Sequence, residues 1–161
     1  MTLGRLAPAC AALVVLLAGG AGEARAQDEA SSGRATQIWA NLTLGKGALD
    51  GRPVRVALVE NRIASGSIGK AEVAKLVPLL TIATREKSPV VLYLDSAGAR
   101  VSEGLEALGA FRRLFREALA ARVSGAPLAV VLGRNCFGGA SMLAHAAPRR
   151  LFSPGTLLAM S

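Results

Sequence analysis

The chain is poor in the residues that carry metal and acid–base chemistry. Its 161 residues include two cysteines, Cys10 and Cys136, and one histidine, His145. Cys10 falls in an N-terminal stretch with the features of a targeting segment, so a structural disulfide is not expected. One remaining Cys and one His cannot build a four-ligand zinc site, and no metal is expected. Aromatic residues make up only 4% of the chain. None is interleaved with the arginines, which argues against stacking on single-stranded nucleic acid, and no nucleic-acid partner is expected. The apolar run Ala9 to Ala18 is shorter than the roughly 20 residues that cross a bilayer, so no stable membrane span is expected.

What is present is an apolar, basic chain. Hydrophobic residues are 52% of it and the net charge is +8. With so few aromatics the core must be built from Ala, Val and Leu, a composition suited to helices laid against buried strands. The length suits one domain. The cationic excess is mostly Arg, including Arg112, Arg113, Arg116, Arg122, Arg134, Arg149 and Arg150. Such a surface attracts phosphorylated ligands or anionic surfaces without choosing between them.

Residues 1–26 read as a secretory signal. Arg5 is the basic start, Ala9 to Ala18 the apolar centre, and Ala24-Arg25-Ala26 a small-x-small cleavage site. Export or a periplasmic location follows if that segment is used. Residues 27–37 are polar and aperiodic and read as a linker, which places the folded domain at 38–161.

Within the domain, β-prone runs Leu42 to Leu49 and Val54 to Glu60 flank Asp50-Gly51-Arg52-Pro53, a hairpin signal. Ala71 to Thr84 carries Val73, Leu76, Val77, Leu80 and Ile82 at helical spacing, with a kink expected at Pro78. Val90 to Leu94 is a continuous apolar strand suited to burial on both faces. The next helix, from Val101, sets Leu105, Leu108, Phe111, Leu114, Phe115, Ala118 and Leu119 in one stripe. A strand at 127–132, a turn at 133–137 and a helix at 138–146 repeat the plan. Leu151-Phe152 and Leu157 to Met160 read as short strands. The order ββα, βα, βα, ββ means an α/β fold with a parallel sheet and crossover helices, whose ligands lie at the strand ends. Its last strand has nothing packed after it, so the domain is expected to be incomplete at its C-terminus.

Two strand-to-helix corners stand out. The first is Asp95-Ser96-Ala97-Gly98-Ala99-Arg100 and the second is Asn135-Cys136-Phe137-Gly138-Gly139-Ala140-Ser141. Small residues let backbone approach a ligand, and a helix start leaves N–H groups without internal partners. A thioester carbonyl held by one N–H from each corner would be stabilised most when it becomes an enolate.

The segment Asp95 to Gly104 resembles the DSGGARIQEG segment of the acyl-CoA carboxyltransferase family, with Ala97 where that pattern has Gly. Cys136 to Ser141 resembles the family's second glycine pair. Gly66-Ser67-Ile68-Gly69 before a helix and Asp50-Gly51-Arg52-Pro53-Val54 before a strand are similar to it in order and spacing. The resemblance covers roughly residues 44–161. It is about equally to one half of a carboxyltransferase and to the β subunit of biotin-independent malonate decarboxylase.

The resemblance implies a crotonase-like spiral of ββα units and a coenzyme A or phosphopantetheine thioester as substrate, delivered as acyl-CoA or on acyl carrier protein. It implies catalytic backbone donors at Gly98 and Ala99 and at Gly139 and Ala140. Ser65, Gly66, Ser67, Ser96, Ala97, Arg100 and Gly138 would line the substrate. It implies a second carboxyltransferase-like subunit and a cytoplasmic location, and leaves biotin-linked and biotin-independent reactions both open.

Two other readings stand beside it. Ser141 and His145 share a helix face at i and i+4 and would serve as nucleophile and base of an exported Clp-like serine peptidase. Alternatively, the chain keeps the fold only as a non-catalytic subunit of a carboxylase or decarboxylase complex.

Overall fold

The computed structural model describes residues 41–160. The signal and linker expected at residues 1–37, and Cys10, lie outside the described residues. Strand β1 (Leu42–Leu49) turns at Asp50 and Gly51, both at positive φ, into β2 (Arg52–Val59), and the two pair antiparallel throughout. A 3-10 turn at Ala64–Gly66 leads to helix α1 (Lys70–Glu86), which is continuous through the exposed Pro78 and ends at Lys87 in the left-handed conformation. Strand β3 (Val90–Ser96), helix α2 (Gly104–Val123), strand β4 (Leu128–Phe137) and helix α3 (Gly139–Ala146) follow. Strands β5 (Arg149–Phe152) and β6 (Leu157–Ala159) close the described chain. Sheet order is β1-β2-β3-β4-β5, with β6 also pairing β4, and every pairing after the hairpin is parallel. The expected element order and parallel topology are present. Among the described residues no helix is long and apolar enough to cross a membrane.

The core lies on one face of the sheet. Val90, Leu92 and Leu94 of β3 and Leu128, Val130 and Leu132 of β4 are buried against Leu76 and Leu80 of α1, Leu114 and Ala118 of α2, and Leu143 of α3. The alternate residues Val91, Tyr93, Ala129 and Val131 are only half-buried. Burial of β3 on both faces is therefore corrected: the described helices cover one side, and period-two geometry turns alternate side chains to the other.

Helix α2 also departs from expectation. A 3-10 turn at Val101–Glu103 precedes it, and its buried row is Ala107, Phe111, Leu114, Ala118 and Ala121. Val101 and Leu105 are 74% and 85% exposed, and Leu108 and Leu119 are exposed too. Three of these five are alanines, small enough to let α2 lie close against α1 and the sheet. The turn expected at 133–137 is instead the continuation of β4, whose Asn135, Cys136 and Phe137 pair with Leu157, Leu158 and Ala159. The change from strand to helix is thereby confined to Gly138, at φ 50°. All of β5 is exposed, including Leu151 and Phe152, as are Leu157 and Met160.

Candidate active site

The carboxyl ends of β3 and β4 bring the two corners into contact. Ser96 pairs with Cys136 after a register shift beyond Leu94. Gly98 has φ +98°, and a Cβ built on it would lie 2.8 Å from the Gly139 nitrogen and 2.8 Å from the Phe137 carbonyl oxygen. Only a glycine fits where one backbone rests on another at that φ. Gly139 is pressed in turn by the Phe111 ring, 2.6 Å from where its Cβ would be.

The backbone donors divide into spent and available ones. The Gly98 N–H donates to Ser96 Oγ at 3.1 Å and the Gly138 N–H to the Ala159 carbonyl at 3.0 Å. Ala97 donates to the Ser65 carbonyl at 2.9 Å. Ile68 donates to the Gly98 carbonyl at 2.7 Å, and Arg100 donates to the Ile68 carbonyl at 2.9 Å. Ile68 thus brackets Ala99 in a parallel bridge, so the N–H of Ala99 itself points away from Ile68. Among the described residues no acceptor is found for it, nor for the N–H groups of Gly139 and Ala140, which open α3 ahead of the Met142 N–H that bonds Gly138. Of the four expected catalytic positions, Ala99, Gly139 and Ala140 carry N–H groups without an internal acceptor, Ala140 being fully buried, and Gly98 supplies the close approach.

A third segment joins them. Ser65, Gly66 and Ser67 form the turn that packs on the first corner, where a Cβ on Gly66 would lie 2.2 Å from the Asp95 carbonyl oxygen. Ser65 is exposed and Ser67 buried. Asp95 itself accepts the Asn135 N–H at 3.1 Å, tying the first corner to β4. Ala97 is exposed and has no positive φ, so Ala in place of Gly fits the corner without backbone strain.

Arg100 points inward. Its guanidinium donates to Glu72 Oε1 at 2.6 Å, to the Ser67 carbonyl at 2.7 Å, to Glu103 Oε1 at 3.0 Å and to Ser67 Oγ at 3.1 Å. Burial works against its charge, but the hydrogen bonds and charges of Glu72 and Glu103 outweigh it and raise its pKa. Glu103 is held below the usual carboxylate range, first by the Lys70 N–H and, against some desolvation, by Arg100. Sequence reasoning missed Asn41, Glu72 and Glu103 in this network. Glu72 had a signal, because a Glu at the third helical position reaches back to the N-cap N–H, here Gly69 at 2.9 Å.

The serine–histidine pair does not form. Ser141 is fully buried and its hydroxyl donates to the Gly138 carbonyl at 2.7 Å, with Met160 Sδ at 2.8 Å. His145 is exposed, and its Nδ1 lies 2.7 Å from the Ser141 carbonyl oxygen, not its hydroxyl. At i and i+4 the imidazole reaches the helix carbonyl first, so the peptidase expectation is corrected. Cys136 is buried, and burial, with the charge of Asp95 adding, pushes its thiol up to about 11, far from a reactive thiolate. Among the described residues no group of acidic, His or Cys side chains could hold a metal ion. A separate cleft of about 860 Å³ lies at the opposite strand ends, bordered by Arg52, Arg122 and Arg149.

Comparison with known proteins bears on the family and the fold. The family described as carboxyl transferase domain matches residues 19–152. The chain is 32% identical over 101 residues to the methylmalonyl-CoA carboxyltransferase 12S subunit of Propionibacterium freudenreichii subsp. shermanii, covering 62% of this chain and 19% of that one. The crystal structure of transcarboxylase 12S with hydrolysed methylmalonyl-coenzyme A bound superposes with a TM-score of 0.66 at 27% identity, over 75% of this chain and 23% of that one. A Pseudomonas malonate decarboxylase hetero-tetramer shares the fold, with a TM-score of 0.69 at 24% identity over 75% and 46% of the two chains. The chain spans about a fifth of the length of the curated relatives it matches. A parallel spiral of crotonase type, two touching small-residue corners and a sequence match across most of its length place this chain in the carboxyl transferase domain family.

Proposed function

We propose that the chain is an acyl-thioester carboxyltransferase or decarboxylase-type unit, acting on malonyl or acetyl groups carried by CoA or acyl carrier protein. The observation that carries this is the contact of Gly98 with Gly139, which rests the corner bearing the unbonded N–H of Ala99 on the start of α3, where the N–H groups of Gly139 and Ala140 have no internal acceptor. A thioester carbonyl oxygen accepts from these donors, and the start of α3 adds the positive end of its dipole. In decarboxylation the C–C bond to the carboxylate breaks, CO2 leaves, and the electron pair moves onto the thioester as an enolate whose oxygen the donors stabilise. A proton then returns to carbon. Carboxyl transfer onto an acetyl thioester would pass through the same enolate, formed there by loss of the α-proton to a base from outside the two corners. Its carbon would form the new C–C bond to the carboxyl carbon as the bond from that carbon to its carrier breaks. Decarboxylation needs no base in its bond-breaking step, in keeping with a corner built from Ala and Gly.

The exposed Ser65 and Ala97 border the thioester in this reading, whereas the buried Gly66, Ser67 and Ser96 support the border from behind, Ser96 by accepting the Gly98 N–H, and Arg100 acts by holding it in place. The related transcarboxylase 12S is described as a hexamer assembly and the malonate decarboxylase as a hetero-tetramer. A second carboxyltransferase-like unit covering the exposed apolar residues of β5 and β6 completes the cleft here, and biotin is the carboxyl carrier in the biotin-linked version of the reaction. The folded unit starts near residue 38, and the cell compartment follows from whether residues 1–26 are cleaved.

Removing one donor tests the reading. Ala99→Pro deletes a single N–H that makes no internal bond, and turnover of malonyl-CoA by the chain with its partner unit falls about 100-fold, the usual loss for one oxyanion donor. Unchanged turnover refutes the donor's role. Binding of malonyl-CoA by calorimetry without turnover supports the non-catalytic subunit instead.

A further inference from the structure

The turn before α1 is held in a conformation that its own residues disfavour. Ala64 and Ser65, neither of them glycine, have φ of 46° and 54°, and Gly66 follows at 68°. Consecutive left-handed residues with a Cβ are costly and persist only where surroundings over-determine them. The surroundings here are three side chains. Asn41 donates to the Ile63 and Ser67 carbonyls at 2.9 and 3.0 Å and accepts the Ile63 N–H at 2.9 Å. Glu72, fully buried, accepts the Asn41 N–H at 3.0 Å and the Gly69 N–H at 2.9 Å. Arg100, its side chain 10% exposed, bonds Glu72 and both oxygens of Ser67.

The strained turn is also what the first corner leans on. Ser65, Gly98 and Ile68 supply the three backbone bonds that orient residues 97 to 100. Those bonds decide that the Ala99 N–H faces away from the turn. Arg100 belongs to the corner and Glu72 to α1, so their ion pair closes the loop between the two segments.

We propose that Glu72 and Arg100 are positioning residues: their buried ion pair clasps the strained 64–68 turn against residues 97–100 and thereby aims the Ala99 N–H at the thioester carbonyl. The aim at a thioester rests on the proposed function, whereas the clasp itself does not. A buried pair of this kind is a poor source of net stability, since its desolvation offsets much of its attraction, and a better source of a unique local geometry. Lysine cannot replace this arginine, because its single ammonium cannot reach the carboxylate and the Ser67 carbonyl in one planar fan.

The test uses the full chain in two arms. In the first, amide hydrogen exchange is compared between the wild type and Arg100→Lys, with Glu72→Gln/Arg100→Gln as a second variant that leaves no lone buried charge. Exchange at Ile68, at Ala97 and at the backbone amide of position 100 is expected to rise at least about tenfold while the β4 amides of Val130 and Leu132 stay within about twofold, the pattern of a local opening. A uniform rise, no rise, or unfolding of both variants overturns the clasp, because the pair then serves the whole fold or nothing.

In the second arm, [1-13C]acetyl-CoA is the probe. The wild type moves the bound carbonyl resonance downfield, and Arg100→Lys loses at least half of that shift while its affinity for the probe stays within about threefold, the split expected when a donor is misaligned rather than a binding surface lost. An unchanged shift in Arg100→Lys overturns the aiming role. A wild type that binds no probe or leaves the resonance unmoved overturns the thioester reading, and the exchange arm then decides the clasp alone.

Discussion

Gly98 is the residue on which the meeting of the two corners depends. Its φ of +98° and its contact with the Gly139 nitrogen and Phe137 oxygen leave no space for a branched side chain. Gly98→Val is expected to cost about 3 kcal/mol of stability, combining left-handed strain with overpacking against backbone that cannot step aside. Urea denaturation reads this directly, and a loss under about 1 kcal/mol, close to that of ordinary surface changes, contradicts it. Gly139 is different, because its neighbour is a side chain. Gly139→Ala drives a methyl into Phe111, and Phe111→Leu in the same chain should recover about 1 kcal/mol of the loss, measured as a double-mutant coupling.

Cys136 gives a pH prediction at the same scale. Its thiol is raised to about 11 by burial and by Asp95. A raised pKa contributes stability in full below the unfolded thiol's value of about 8.5, and that contribution is lost as pH rises through the folded value. At pH 9 the Cys136 peptide should therefore be alkylated by iodoacetamide at least about 100-fold more slowly in the native chain than in urea. Equal rates, followed by mass spectrometry, would show an accessible thiolate. Of the single residues, the glycines and small residues of the corners were legible from sequence alone. Asn41 was not, because nothing local marks a residue whose three side-chain bonds go to Ile63 and Ser67, more than twenty positions away.

At the scale of elements, helix α2 shows where periodicity runs short. Its leucines form a stripe by spacing, and Leu114 does face the core, but Leu105 and Leu108 do not. Spacing identifies a helix and its amphipathicity without saying which edge of a broad apolar stripe meets the sheet. Here Ala107, Ala118 and Ala121 do, since close packing selects small side chains. Leu105→Lys should change stability by no more than about 0.5 kcal/mol, whereas Ala107→Leu should cost about 2 kcal/mol by overpacking. Thermal or urea unfolding of the two variants gives the ranking, and the reverse order would restore the leucine stripe. Strand β4 shows a second limit. Asn135 and Arg134 look like turn residues, yet Asp95 accepts both their N–H groups and β6 pairs from Asn135 onward, so tertiary partners extend the strand.

For the whole molecule, element order and parallel topology followed from alternating patterns and short turns, and the sequence alone puts both corners at strand ends. Their convergence on one site was expected too, but not the backbone contact of Gly98 with Gly139. It depends on the parallel register of β3 with β4 and on the shift between Leu94 and Ser96, which local sequence does not encode. The same register brings Ile68 beside Ala99 and so separates the available donor, Ala99, from the spent one, Gly98. The basic cleft at the other end of the sheet is the natural competitor for an anionic thioester, because Arg52, Arg122 and Arg149 border it. Titration of malonyl-CoA into the isotopically labelled chain, followed through backbone amide resonances, separates the two ends of the sheet. The largest shifts are expected at Ala99, Gly139 and Ala140; shifts confined to residues 49–54, 122–129 and 149, or none at millimolar ligand, would contradict a thioester site at the paired corners.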